Sequence, residues 1–193
     1  MKSPDDIKYT LQTLMTERRF KHSAHVARIA KALGARYGEN ENDCEIAGYL
    51  HDSAKDIPFA HLPDFGVNPD KIPNFKTLLA RAPGVIHSYA GEQIAANLFG
   101  IKNNKILNAV KRHTTGCKNM SLIDKIIFVS DCIEPLRKFD GVNEIRRYAY
   151  RHLDKALELA FISKIRTVLD YKGYMCGETI DAWNDIVTKG CKY

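Results

Sequence analysis

The sequence predicts an all-α fold, a helical bundle forming a single domain over residues 1–193. Apolar residues recur at intervals of three and four through most of the chain, the spacing that lines one face of an α-helix. Breaks fall at Gly38, Pro58, Pro63, Pro73, the Pro83–Gly84 pair, Gly100, Gly116, Gly141 and Gly173, residues that end helices or start turns. No segment shows the sustained apolar–polar alternation of a half-buried strand.

Taken in order, the periodicity predicts helices over 4–16, 22–37 and 41–55. Residues 56–84 form a long connection with one short helix around "FKTLLARA". Helices follow over 85–99, 103–114 and 121–137. Ser121 opens the last of these as an N-cap, with Asp124 three residues on to complete a capping box. A helix over 142–170 begins a helical extension that runs to the C-terminus, 142–193. The start, "MKSPDDIKYTLQ", is polar and amphipathic, and no stretch approaches the roughly 20 apolar residues of a membrane helix. The expectation is a cytoplasmic protein with no membrane association. Five cysteines, at 44, 117, 132, 176 and 191, form no CxxC pair and read as free thiols. The net charge of +6 suits a polyanionic ligand, but it is spread along the chain, which argues against a stable nucleic-acid complex.

Several ionisable residues interrupt the apolar stripes. His22 leads Val26, Ile29 and Leu33; His51 shares a stripe with Ala47, Leu50 and Ala54. His87 leads Gly91, Ile94 and Leu98, His113 closes the run Ile106 and Val110, and Asp131 follows Ile123 and Ile127. Asp52 stands beside His51. A buried carboxylate costs several kcal/mol unless something compensates its charge. Six unrelated core residues would each need a separate partner, whereas one cationic centre satisfies all of them. Six nitrogen and oxygen ligands exceed the needs of one tetrahedral ion and suit two ions, with Asp52 as the bridging carboxylate. Imidazole and carboxylate without thiolate point to iron, manganese or zinc. His25 lies at the border of the His22 stripe, and His61 and His152 read as surface.

These residues resemble the HD superfamily of metal-dependent phosphohydrolases, and the words around them are more specific. "RFKHS", "GYLHDSAKD", "VIHSYAG", "HTTG" and "MSLIDKIIFVSDCIEPLR", in that order, resemble its YqeK-type branch, the bacterial symmetrical bis(5'-nucleosyl)-tetraphosphatases. The resemblance covers roughly residues 18–160. It implies an all-α HD domain with its core at about 18–137, a dinuclear centre with iron favoured, a homodimer, and cleavage of diadenosine tetraphosphate into two ADP. Carried over by position, His22, His51, Asp52 and Asp131 hold one ion, and Asp52, His87 and His113 hold the other. Ser53 and Ser130 depart from the residues usual beside those ligands, without removing one.

The reaction expected is hydrolysis of a phosphoanhydride by a metal-bound hydroxide, with Asp52 and Lys55 in catalytic roles. Lys55, one turn beyond His51 and Asp52, is assigned to the substrate phosphates. Arg19, three residues before His22, and Arg137, six after Asp131, are candidates to complete a phosphate clamp. Thr114 and Thr115 follow a ligand at a helix end, where their hydroxyls serve either a phosphate or the helix terminus. Tyr37, Phe65 and Phe75 read as core and not as base-stacking residues. Three alternatives stand beside this reading: another HD nucleotidase or phosphodiesterase, a di-iron HD oxygenase, and a basic helical RNA-binding module with a structural metal.

Overall fold

Polar caps and apolar stripes set the helices close to the predicted bounds. The computed structural model describes residues 4–189, so Cys191 lies outside the described residues. Helix α1 spans Pro4–Leu14 and α2 spans Glu17–Tyr37. The Thr16 hydroxyl accepts from the Arg19 backbone N–H to start α2, and Gly38, at φ 76°, ends it in the left-handed region. Helix α3, Glu41–Leu50, starts on Asn40, whose side chain accepts from the Asp43 backbone N–H. Two 3₁₀ turns, Phe59–Phe65 and Pro69–Lys71, lead to α4 at Phe75–Arg81. Then come α5 (Pro83–Asn97), α6 (Asn104–Arg112) and α7 (Leu122–Ile133), the last with the expected Ser121–Asp124 capping box. Helices α8 (Val142–Ala149), α9 (Leu153–Asp170) and α10 (Gly177–Lys189) complete the described chain. No strand occurs among the described residues, and none of their helices is long and apolar enough to cross a membrane.

The central packing is that of α2 on α3, with α5, α6 and α7 closing around them. Val26, Ala27, Leu33, Leu50, Ile94, Val110 and Ile127 are fully buried. Burying each large aliphatic side chain stabilises the fold by about 1.5–3 kcal/mol. Gly48 sets the distance between α2 and α3. A Cβ there would lie 2.5 Å from Ala27 Cα and 2.8 Å from Ala27 N, so any side chain would push the two helices apart. That crossing brings the His22 and His51 rings together, Nε2 toward Nε2.

Three expected helices end early or break; that over 121–137 stops at Ile133, where Glu134 is extended before Pro135. The helix predicted over 41–55 stops at Leu50, and the chain tightens into turns, with Ser53 N donating to Leu50 O and Lys55 N to Asp52 O. His51 Nδ1 donates at 2.7 Å to Gly48 O, the carbonyl that Asp52 N–H would meet in a continued α-helix. The helix predicted over 142–170 is broken at 150–152. Tyr37 Oη donates to Ala149 O and Arg36 Nε to Tyr150 O, so side chains of α2 take the last carbonyls of α8. Tyr37, Phe65 and Phe75 are partly buried against the core. Cys44, Cys117, Cys132 and Cys176 are free thiols, and burial pushes Cys44 up to about 12.

Candidate metal centre

Five segments deliver six ligand candidates to one pocket. Helix α2 gives His22, the turn after α3 gives His51 and Asp52, α5 gives His87, the end of α6 gives His113, and α7 gives Asp131. All four imidazoles and Asp52 are buried. The rings of His22, His51, His113 and His87 follow one another in that order, their centroids 5.1, 4.9 and 5.0 Å apart.

The Nε2 atoms fall into two pairs. His22 Nε2 lies 3.1 Å from His51 Nε2 and 3.2 Å from Asp131 Oδ1. His87 Nε2 lies 3.0 Å from His113 Nε2. Asp52 stands between the pairs and turns one oxygen to each. Its Oδ1 is 3.0 Å from His87 Nε2 and 3.5 Å from His113 Nε2, while its Oδ2 is 3.7 Å from Nε2 of both His22 and His51. Ligand atoms of His22, His51 and Asp131 lie within 4.8 Å of one another, as do those of His51, Asp52 and His113.

The other ring nitrogens explain this orientation. Nδ1 of His51, His87 and His113 each donates at 2.7 Å to the carbonyl three residues earlier, on Gly48, Gly84 and Val110. His22 Nδ1 is instead 3.2 Å from Glu134 Oε1, and the other Glu134 oxygen is 3.3 Å from His25 Nδ1. A proton held on Nδ1 leaves the Nε2 lone pair pointing into the pocket. Lone pairs facing each other at 3.0–3.1 Å repel, and a cation between them turns that repulsion into ligation.

The electrostatics fit the same group. Burial pushes His51 and His87 down to about 4, against the opposing charge of Asp52, so both imidazoles are neutral at neutral pH. Burial works to raise Asp52, but His51, His87 and His113 outweigh it and hold the carboxyl well below its usual range. Asp131 is held low against its burial by the His22 ring, 3.2 Å away, and by Arg137. His22 is raised, burial notwithstanding, because Asp131 and Asp52 face it; the pocket favours positive charge at that point. Neutral imidazoles and ionised carboxylates are the donor set that a transition-metal cation requires.

The phosphate candidates separate on inspection. Arg19 Nη1 donates to Asp52 Oδ2 at 2.6 Å, and Arg137 bonds the Asp131 side chain and backbone carbonyl. Lys55 Nζ lies 3.1 Å from His87 Nδ1 and 3.4 Å from Gly84 O, at the edge of the pocket. Thr114 Oγ1 is 3.0 Å from His113 Nε2 and 3.4 Å from His87 Nε2, facing the centre. Thr115 is not brought to it: its hydroxyl donates to Gly116 O. His25 supports Glu134 from the border, and His61 and His152 are exposed on the surface.

Two residues of the pocket lie outside the sequence reading. Glu134, buried, holds the His22 ring; its interval of three from Asp131 was the available signal. Lys164 comes from α9 and donates to Thr114 O at 2.7 Å, with Nζ 4.6 Å over the Phe128 ring. Nothing local marks it.

The HD domain family matches this chain over residues 19–136, a span containing all six converging ligand candidates. The chain belongs to the HD domain family. The HD protein is similar to the symmetrical bis(5'-nucleosyl)-tetraphosphatase of Bacillus subtilis, 35% identical over 143 residues, 74% of this chain and 75% of the relative. It is 30% identical over 173 residues to the protein of the same name from Halalkalibacterium halodurans, covering 90% of this chain and 91% of that one. A crystal structure from Clostridium acetobutylicum, described as a predicted HD superfamily hydrolase involved in NAD metabolism, superposes with a TM-score of 0.90 at 36% identity. That match covers 98% of this chain and 99% of the other. The HD protein is a hydrolase.

Proposed function

We propose that this HD hydrolase cleaves diadenosine tetraphosphate, or a close dinucleoside analogue, symmetrically into two nucleoside diphosphates. Asp52 carries the reading, because it offers one carboxylate oxygen to each of two imidazole pairs. The names of the two curated relatives supply the substrate class.

In this reading His22, His51 and Asp131 hold one ion, His87 and His113 hold the other, and Asp52 bridges them. Iron is the preferred metal, with manganese or zinc compatible with the same donors. Two bound cations would supply Lewis acidity toward the phosphoryl oxygens and acidify a water toward neutral pH. The chain's own residues then position the phosphates. Lys55 sets a positive charge at the His87 edge, and the Thr114 hydroxyl faces the centre from the His113 side. Arg19 and Arg137 neutralise the two carboxylates and keep further guanidinium N–H groups for phosphate oxygens. Glu134 fixes His22, so that its ring does not turn as charge develops.

A nucleotide panel with product analysis tests the substrate. Diadenosine tetraphosphate is expected to yield two ADP; ATP plus AMP would overturn the symmetrical reading. NAD belongs in the panel, as a dinucleotide joined through a diphosphate, and its preferential cleavage would overturn the tetraphosphate assignment. Turnover is expected to be unimpaired without oxygen, whereas an oxygenase would stop. Lys55→Ala is expected to keep its metal content and lose turnover by ~100-fold or more, the scale of removing one charge-stabilising donor. Full turnover in that variant would remove Lys55 from the phosphate site.

A further inference from the structure

Three cavities border the ligand cluster, and each neighbouring pair shares a lining residue. The first, about 330 Å³, lies beside His87 and Lys55 and is walled by Ile57, Pro58, Phe59 and Pro83. The second, about 300 Å³, shares Asp56 with the first and is lined by His22 with Arg18, Arg19 and Arg137. The third, about 240 Å³, shares Arg137 with the second and is lined by Asp131, Phe128, Phe139 and Lys164. Taken in that order as one groove, they place three arginines in the middle and an aromatic residue with a lysine at each end. Metal-ligand candidates line all three parts of it: His87, His22 and Asp131 in turn.

Phe59 is 43% exposed on a wall of prolines and aliphatic carbon, beyond what core packing explains. Phe139 packs partly against the core while bordering the third cavity. Aromatic faces stack nucleobases, and guanidinium groups bind phosphate chains. A dinucleoside polyphosphate has the matching order: base, negative chain, base. An enzyme that cuts such a chain at its centre must register both ends or measure from one.

We propose that the groove registers both ends, one nucleoside stacked on Phe59 beside His87 and the other on Phe139 beside Asp131. The phosphates then lie along Arg19 and Arg137 across the ion pair. Arg18 faces the same stretch, and Lys55 and Lys164 take the phosphate nearest each nucleoside. This rests on the proposed hydrolase reading and assigns its substrate subsites.

ADP, one product half, is the direct probe. The metal-loaded protein, titrated with ADP by calorimetry, is expected to bind two molecules per chain. Phe59→Ala and Phe139→Leu, the latter keeping apolar contact with the core, are each expected to bind one. Each variant should also raise KM for diadenosine tetraphosphate ~10-fold, with unchanged metal content and melting temperature. A single ADP per chain in the parent protein, or two in both variants, overturns the proposal. Hydrolysis with one bound ADP sinks the two-ended groove and leaves the hydrolase reading. Two bound ADP without cleavage of any dinucleoside polyphosphate sustains the groove and sinks that reading.

Discussion

An Asp52→Asn protein is expected to keep its fold and lose hydrolysis by ~1,000-fold or more. The substitution is nearly isosteric, so the surrounding helices have no steric reason to move. What changes is charge and donor count. Asp52 Oδ1 faces His87 and His113, and Oδ2 faces His22 and His51. An amide offers one oxygen and one NH₂, so one of the two imidazole pairs must face a group that does not ligate, and the negative charge shared between the ions is gone. In the proposed two-metal reading, several kcal/mol of stabilisation for the developing charge would depend on both cations, and ~4 kcal/mol corresponds to about 1,000-fold in rate. Elemental analysis should find reduced metal, while circular dichroism stays at the parent spectrum. A variant retaining both ions and turning over within tenfold of the parent would show that Asp52 does not bridge.

His87→Ala distinguishes the two proposed ions. Without it, only His113 and one oxygen of Asp52 remain on that side of the pocket, too few donors to hold a metal against water. On the other side, His22, His51 and Asp131 are untouched. The metal content is expected to fall from two ions per chain to one, and turnover by ~100-fold or more, as one of the two phosphoryl contacts disappears. A mononuclear nucleotidase would behave otherwise: its metal count would not change and its rate would fall little. Measuring metal and rate on the same preparation distinguishes the two.

The ligand cluster was legible in the sequence because burial and polarity conflict there. His87 sits on a stripe with Ile94, and His113 on a stripe with Ile106 and Val110, and helical spacing alone turns both toward the core. The order of the helices followed from the same periodicity and from glycine and proline. What escaped depends on contacts between distant segments. The break at 150–152 has no glycine or proline, and Ile145, Ala149, Leu153, Ala156 and Leu157 continue one stripe across it. Side chains of α2 end α8 there, and no local rule shows them. The expected helix over 41–55 stops at Leu50, and the His51 ring bonds back to Gly48 O at that end, a contact that helical periodicity does not show. Glu134 falls inside the helix expected over 121–137 with no role of its own, yet it caps that helix and its carboxylate holds the ring of a ligand candidate, His22. Lys164 lies beyond the family-matched span and reaches the pocket only through the packing of α9 on α7. Thr115 shows the opposite case, a residue next to a ligand whose hydroxyl turns back to the chain.

The central claim is that two cations share this pocket and do the hydrolytic work. Its most direct test is a metal count on the purified protein, coupled to the cleavage of diadenosine tetraphosphate before and after chelation. Two transition-metal ions per chain are expected, with ADP formation that stops when they are removed and returns when they are restored. One ion or none in the active protein, or hydrolysis that survives complete chelation, would contradict it.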